Sequence, residues 1–190
     1  MEVEPLDPQV TEFLSRVSTA TLTAELFTHG LRNTFLSGVR PLNPAAARFV
    51  GDAFTLRYIP AREDLDVVEG FADPEHPQRK AIESLNSGQV LVVDCRGDTG
   101  AGALGNILVT RMMRRGAAAL VTDGSVRDSH LIANMDFPAF CAGGAAPLSL
   151  TIHHPVDFQP SVVAGLLCFQ ETSSSATRKE SSLFPVTSHR

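Results

Sequence analysis

The stretch from Asp98 to Asp128, DTGAGALGNILVTRMMRRGAAALVTDGSVRD, constrains this chain more than any other. It reads as a glycine-rich loop, a helix, a buried strand and a tight polar turn. Gly97, Gly100, Gly102 and Gly105 let the backbone bend sharply and bring its N–H groups close to a ligand. Asn106 to Arg115 carries Ile107, Leu108 and Met112 at helical spacing, with Val109 and Met113 on the flank. Arg111, Arg114 and Arg115 fall toward the end where a helix favours positive charge, and Gly116 is a stop signal. Ala117 to Val121 is an apolar run of strand length, and Thr122-Asp123-Gly124-Ser125 reads as a turn. In an α/β layer this order sets a helix N-terminus beside a strand end, where an anion would sit.

The turn delivers Arg127 and Asp128 side by side. A guanidinium matches the two-oxygen face of a carboxylate, and a carboxylate suits a hard divalent cation. With N–H groups from the Gly105 loop, the pair would make a site for a small keto acid chelated to a metal. On local grounds alone the same two residues also fit a solvated surface turn, since exposed charge pairs are common and contribute little.

The segment GALGNILVTRMMRRGAAALVTDGSVRDSHLIANMDFPAFCAGGAAP resembles the 4-hydroxy-4-methyl-2-oxoglutarate aldolase/RraA-like family, also labelled regulator of ribonuclease activity A. The matching elements are Gly105-Asn106-Ile107-Leu108, Arg115-Gly116-Ala117, Asp123 through Asp128, and Phe137-Pro138-Ala139-Phe140 with Pro147. The resemblance spans roughly Ser18 to Asp157. It implies an α/β sandwich with a mixed sheet, like a swivelling-domain fold, assembled as a homotrimer or hexamer. It implies a divalent-metal-dependent lyase that releases pyruvate from 4-hydroxy-4-methyl-2-oxoglutarate or a related keto acid, with possible oxaloacetate decarboxylation. In that scheme Asp128 holds Mg²⁺ or Mn²⁺, Arg127 supports the developing enolate, and the backbone of Gly105, Asn106, Ile107 and Leu108 binds substrate carboxylate. Asp128 sides with the aldolases, because ribonuclease-inhibitor members typically lack that residue. Asn106 stands where the family often has an acid, and an amide cannot act as a base.

At 190 residues the chain supports one domain with a substantial core. A net charge of −5 and the lack of a basic stripe argue against a nucleic-acid partner. No apolar run approaches the ~20 residues of a membrane span, and the acidic start does not read as a signal peptide. Cys95, Cys141 and Cys168 lack metal-ligand spacing and read as reduced core thiols of a cytoplasmic protein.

Along the chain, Val10 to Val17 and Ala20 to His29 read as packing helices, the first with Phe13, Leu14 and Val17 inward. Strands are expected at 39–42, 49–59, 89–94, 137–142 and 149–152, and short helices at 80–85 and 129–134. Glu63, Asp64, Asp66, Glu69 and Asp73 read as a solvated acidic run, and His76 as a surface loop residue. The glycines of GDTGAGALGN lack the lysine of a phosphate-binding loop, which argues against a nucleotide site. His153 and His154 are strand neighbours that point to opposite faces, so they do not readily share an ion.

The expected domain is 1–170, followed by a tail at 171–190 whose Ser/Thr-rich part, Thr172 to Ser182, has the composition of disorder. The family's PGD turn and its partner strand have no match after Asp157. Two other functional readings therefore stand beside the lyase: a non-catalytic regulator on the same fold, and a degenerate, inactive member.

Overall fold

The run Val90–Asp94 is buried at every position, as a strand covered on both faces must be. It forms the middle of a six-stranded mixed sheet. The computed structural model describes residues 7–156, 161–163 and 166–168. In chain order these form α1 (Pro8–Arg16), α2 (Thr19–Thr28), β1 (Arg40–Pro41), β2 (Ala53–Pro60) and α3 (Pro77–Ser84). There follow β3 (Val90–Asp94), α4 (Asn106–Arg114), β4 (Ala119–Thr122), β5 (Ser125–Val126) and α5 (Ser129–Ile132). The last elements are β6 (Ala139–Cys141), β7 (Gly143–Gly144), β8 (His153–Pro155), β9 (Ser161–Val163) and β10 (Leu166–Cys168).

The sheet order is β1-β6-β4-β3-β2-β8. Its four inner strands are parallel, and β1 and β8 close the two edges antiparallel. Parallel neighbours need crossovers, and α3, α4 and α5 lie in the successive connections. Alternation along the strands then sorts the core. Phe54, Leu56, Leu91, Val93 and Leu120 face the side that also holds Ile82, Val109, Met112 and Ile132 of the three helices. Val90, Val92, Val121 and Phe140 face Leu36, Phe49 and Val163 on the other side, where Phe49 meets Phe140 edge-on at 5.4 Å. Each such side chain contributes roughly 1.5–3 kcal/mol by leaving water, so both layers are needed to hold the parallel strands. The α/β fold with a mixed sheet is as the sequence implied.

Several local expectations are corrected. Residues 149–152 are not a strand: Ser149–Thr151 is a 3-10 turn, and pairing begins at His153, which lies opposite Pro60. Only Leu14 of the first helix is buried, while Phe13 is 66% exposed, so that helix packs along a narrower stripe than its apolar residues suggested. Ile107 is 79% exposed, and α4 turns Val109 and Met112 inward instead. His76 is buried at the start of α3, against Phe71 and His154, rather than lying on the surface. Cys95 and Cys141 are buried free thiols, each with its pKa pushed up by burial, to about 12 and about 11. The expected tail at 171–190 lies outside the described residues. No helix among those described is long and apolar enough to cross a membrane.

Two buried imidazoles make stability depend on pH. Burial pushes the pKa of His153 below 6.5, only partly opposed by Asp98 and Asp123. Burial does the same to His76, helped by His154 and Arg79 and opposed by Asp73 and Asp66. Both groups hold a proton less readily in the fold than in the unfolded chain, so unfolding takes up protons as the pH falls below 6.5. Stability is therefore expected to be full above 6.5 and to fall as the medium is acidified below it. Urea midpoints at pH 7.5 and 5.5 measure this, and His153→Phe should flatten the dependence. A midpoint that rises on acidification would contradict the assignment.

Candidate functional site

The parallel strands β3 and β4 end together, and their C-terminal ends carry the loops that build the site. Beyond β3, Arg96 and Gly97 both take positive φ, 60° and 71°, so the chain reverses sharply. Asp123, just after β4, fixes this reversal: its carboxylate accepts from Cys95 N at 2.7 Å and from Gly97 N at 3.0 Å. Asp94 accepts from Arg96 N at 2.8 Å. Gly124 is required by crowding, since a Cβ there would meet Cys95 Cβ at 2.5 Å. Asp123→Ala strands the buried Cys95 N–H and releases Gly97 N–H, and is expected to cost about 1–3 kcal/mol, read as a lowered urea midpoint with an unchanged slope.

The glycine loop is then threaded through the turn after β5. Gly102 N donates to Pro147 O at 3.0 Å, and Ala103 N to Ser125 O at 2.9 Å. Arg127 N donates to Leu104 O at 2.8 Å. Gly102 has no room for a side chain: a Cβ would lie 2.4 Å from Arg127 Cγ and 2.7 Å from Arg127 N. Arg127 is half-buried, and its Nε is buried with no hydrogen-bond partner among the described residues.

Asp128 is left-handed, with φ 53° and ψ 33°. It occupies the N-cap position of α5 but makes no side-chain cap there. Its Oδ2 instead reaches the start of α4, 3.4 Å from Asn106 N. A Cβ on Gly105 would stand 3.0 Å from the same oxygen. Gly105 is itself the N-cap of α4 and supplies no capping side chain, so the first-turn N–H groups there are left to other acceptors. Arg127, Asp128, Gly105 and Asn106 therefore meet at one place. Ile107 and Leu108 bring their backbone to it, while the Ile107 side chain points to solvent.

The donor set for a cation is sparse. No three His, Cys, Asp or Glu side chains among the described residues are arranged to hold a metal ion. Asp128 offers one carboxylate facing an uncapped helix start. Mg²⁺ commonly takes only one or two protein carboxylates and fills its shell with water and substrate oxygens, so one anchoring carboxylate fits that ion. His153 and His154 do diverge, the first against the Tyr58 ring at 4.9 Å and the second beside Asp66. A separate groove of about 670 Å³, lined by Thr23, Phe27, Arg32 and Phe35, lies on the α2 side of the molecule; Thr23 and Phe27 belong to the helix that the sequence reading treated as packing.

Residues 19–168 match the model of one family, RraA-like (Aldolase/RraA). The chain belongs to the RraA-like family. Within it, RraAS2 of Streptomyces coelicolor, described as an unusual member of the RNase ES inhibitor RraA protein family, has a structure similar to this one. The two superpose with a TM-score of 0.75 at 30% identity, covering 88% of this chain and 80% of that one. A Halalkalibacterium halodurans protein provisionally named as a 4-hydroxy-4-methyl-2-oxoglutarate aldolase is 30% identical over 114 residues. The match takes in 60% of this chain and 48% of that protein. Protein DlpA of Legionella pneumophila is 26% identical over 136 residues, 72% of this chain and 21% of DlpA. The RraA-like chain thus spans about half of one of these relatives and about a fifth of the other.

The sequence did not reveal that Asp123 clamps the loop before α4. The signal was present as an Asp-Gly pair directly after a buried strand, opposite a run of glycines. The parallel bridge of β5 to β7 was also missed, because two-residue strands leave no periodicity to detect.

Proposed function

We propose that this RraA-like protein is a divalent-metal-dependent lyase that cleaves 4-hydroxy-4-methyl-2-oxoglutarate, or a related 4-hydroxy-2-oxo acid, to pyruvate. The observation that carries the reading is the placement of the Asp128 carboxylate over the start of α4, which has no side-chain cap of its own, next in sequence to Arg127, whose Nε is buried without a hydrogen-bond partner among the described residues.

The substrate carboxylate takes the first-turn N–H groups of Ile107 and Leu108, which have no acceptor within the helix, and shares the Asn106 N–H with Asp128 Oδ2. Arg127 places a fixed positive charge beside the keto group, with its Nε–H already out of water and therefore strongly attracting. Asp128 would hold Mg²⁺ or Mn²⁺, which when bound supplies Lewis acidity to the keto and carboxylate oxygens. In the cleavage the C3–C4 bond breaks and the C4 hydroxyl loses its proton. One pyruvate leaves as the ketone. The other is released as an enolate that takes a proton at C3. Arg127 stabilises the charge as it develops on that enolate oxygen. Loss of CO₂ from oxaloacetate leaves the same enolate, so a second, decarboxylase activity is expected at this site. Asn106 does not serve as the base in either reaction.

A coupled pyruvate assay with and without Mg²⁺ tests the reading. Turnover that is lost with EDTA and restored by Mg²⁺ or Mn²⁺ supports it, and a metal-independent blank overturns it. The likeness to RraAS2 favours a second reading, a regulatory protein whose surface rather than pocket is used. Ribonuclease binding by a folded protein with no keto-acid turnover would select that reading. A homotrimer or hexamer is part of the proposal, and light scattering reads the mass directly.

A further inference from the structure

We infer that Tyr58 and Gln78 are positioning residues for the keto-acid site, gripping the binding loop from beneath through the carbonyl of Ala103. The inference rests on the lyase reading for its kinetic consequence but not for its geometry. Tyr58 lies on β2 and Gln78 in the first turn of α3, elements that contribute nothing else to the site. Both side chains are buried. Tyr58 Oη donates to Ala103 O at 3.0 Å. Gln78 Nε2 donates to the same oxygen at 2.6 Å and to Tyr58 Oη at 2.8 Å. Burial pushes the Tyr58 pKa well above its usual value, so the hydroxyl remains a donor throughout the working range.

Such an arrangement is more than satisfaction of one carbonyl. Ala103 sits between the two glycines that contact the reactive pair. On one side Gly102 touches Arg127, and on the other Leu104 and Gly105 meet Arg127 N and Asp128 Oδ2. From above, the loop is held by bonds to Pro147, Ser125 and Arg127. Its Ala103 carbonyl is held by the side chains of Tyr58 and Gln78. Since a Cβ could not be inserted at Gly102 without collision, a shift of a few tenths of an ångström there moves Arg127 as well. Near-attack geometry is sensitive to displacements of that order.

Gln78→Met keeps the length and approximate volume of the side chain and removes both donors. Tyr58→Phe leaves the Gln78 bond in place and should act in the same direction, but more weakly. Two readouts are taken on the full chain. In hydrogen exchange without ligand, the amides of Gly102, Ala103 and Arg127 should exchange at least about tenfold faster in Gln78→Met, with those of β3 and β4 unchanged. In the Mg²⁺-supported pyruvate assay, kcat should fall about tenfold with little change in KM, and Tyr58→Phe should lie between Gln78→Met and the parent. A role confined to stability would lower the melting temperature alone. Wild-type exchange at those three amides overturns the inference whatever the activity. Faster exchange with unchanged kcat in an active enzyme also overturns it, while the lyase reading stands. If the parent itself neither turns over nor binds keto acids, the lyase reading fails and the exchange result alone decides whether these residues grip the loop.

Discussion

Asp128→Asn is expected to lower metal-dependent pyruvate release by on the order of 10² to 10³-fold while leaving the fold intact. The choice of asparagine matters because residue 128 is left-handed, with φ 53°. Asparagine tolerates that conformation, whereas most other L-residues lose about 1–2 kcal/mol in it. The substitution keeps the side-chain shape and removes only the charge, the property required to anchor a hard cation. Melting temperature should therefore stay close to that of the parent. Isothermal titration with Mg²⁺ in the presence of oxalate, a planar dianion resembling the pyruvate enolate, should show weakened uptake. Undiminished turnover by Asp128→Asn would remove Asp128 from the site.

The second large effect is expected at Gly102. An added methyl there would lie 2.4 Å from Arg127 Cγ, 2.7 Å from Arg127 N and 3.0 Å from Ala145 O. Two of those neighbours are backbone atoms, which cannot swing aside. Gly102→Ala is therefore expected to cost about 1–3 kcal/mol of stability through overpacking. It should also displace Arg127 from its half-buried seat. The diagnostic combination is a lowered urea midpoint together with loss of keto-acid binding in protein that remains folded. At Gly97 the case differs: φ is positive but nothing crowds the position, so alanine there strains the backbone without touching Arg127. A Gly102→Ala protein with parental binding would show that the loop does not transmit its position to the guanidinium.

How much of this was legible in the residues depends on how local each cause is. The parallel core was legible, because VLVVD and AALV are too apolar to have a wet face. So was the meeting of loop, helix start and Arg-Asp turn, since each piece has its own composition and the order is short range. The helical face of α4 was misjudged at Ile107, because the inward stripe is set by what the sheet presents to Val109 and Met112. Residues 149–152 looked like a strand because Leu150 and Ile152 alternate with polar neighbours, but the chain leaves Pro147 by bridging Gly102 and only then turns onto the sheet edge. The burial of His76 was also hidden, because His154 reaches it from the far sheet edge, where it closes the contact that Phe71 makes from the preceding turn. Tyr58 and Gln78 stand 45 and 25 positions from the carbonyl they hold, and no local pattern marks such a pair.

The central claim is that the Arg127-Asp128 pair and the bare amides of α4 together hold a chelated pyruvyl group. An NMR titration of the labelled full chain with oxalate, with and without Mg²⁺, tests it most directly. The account predicts saturable, Mg²⁺-dependent shifts at the Arg127 Nε–H and at the amides of Asn106, Ile107 and Leu108, with both sets lost in Asp128→Asn. Shifts confined to the groove beside Phe27 and Phe35, or an unmoved Arg127 Nε–H at saturating oxalate and Mg²⁺, would contradict it.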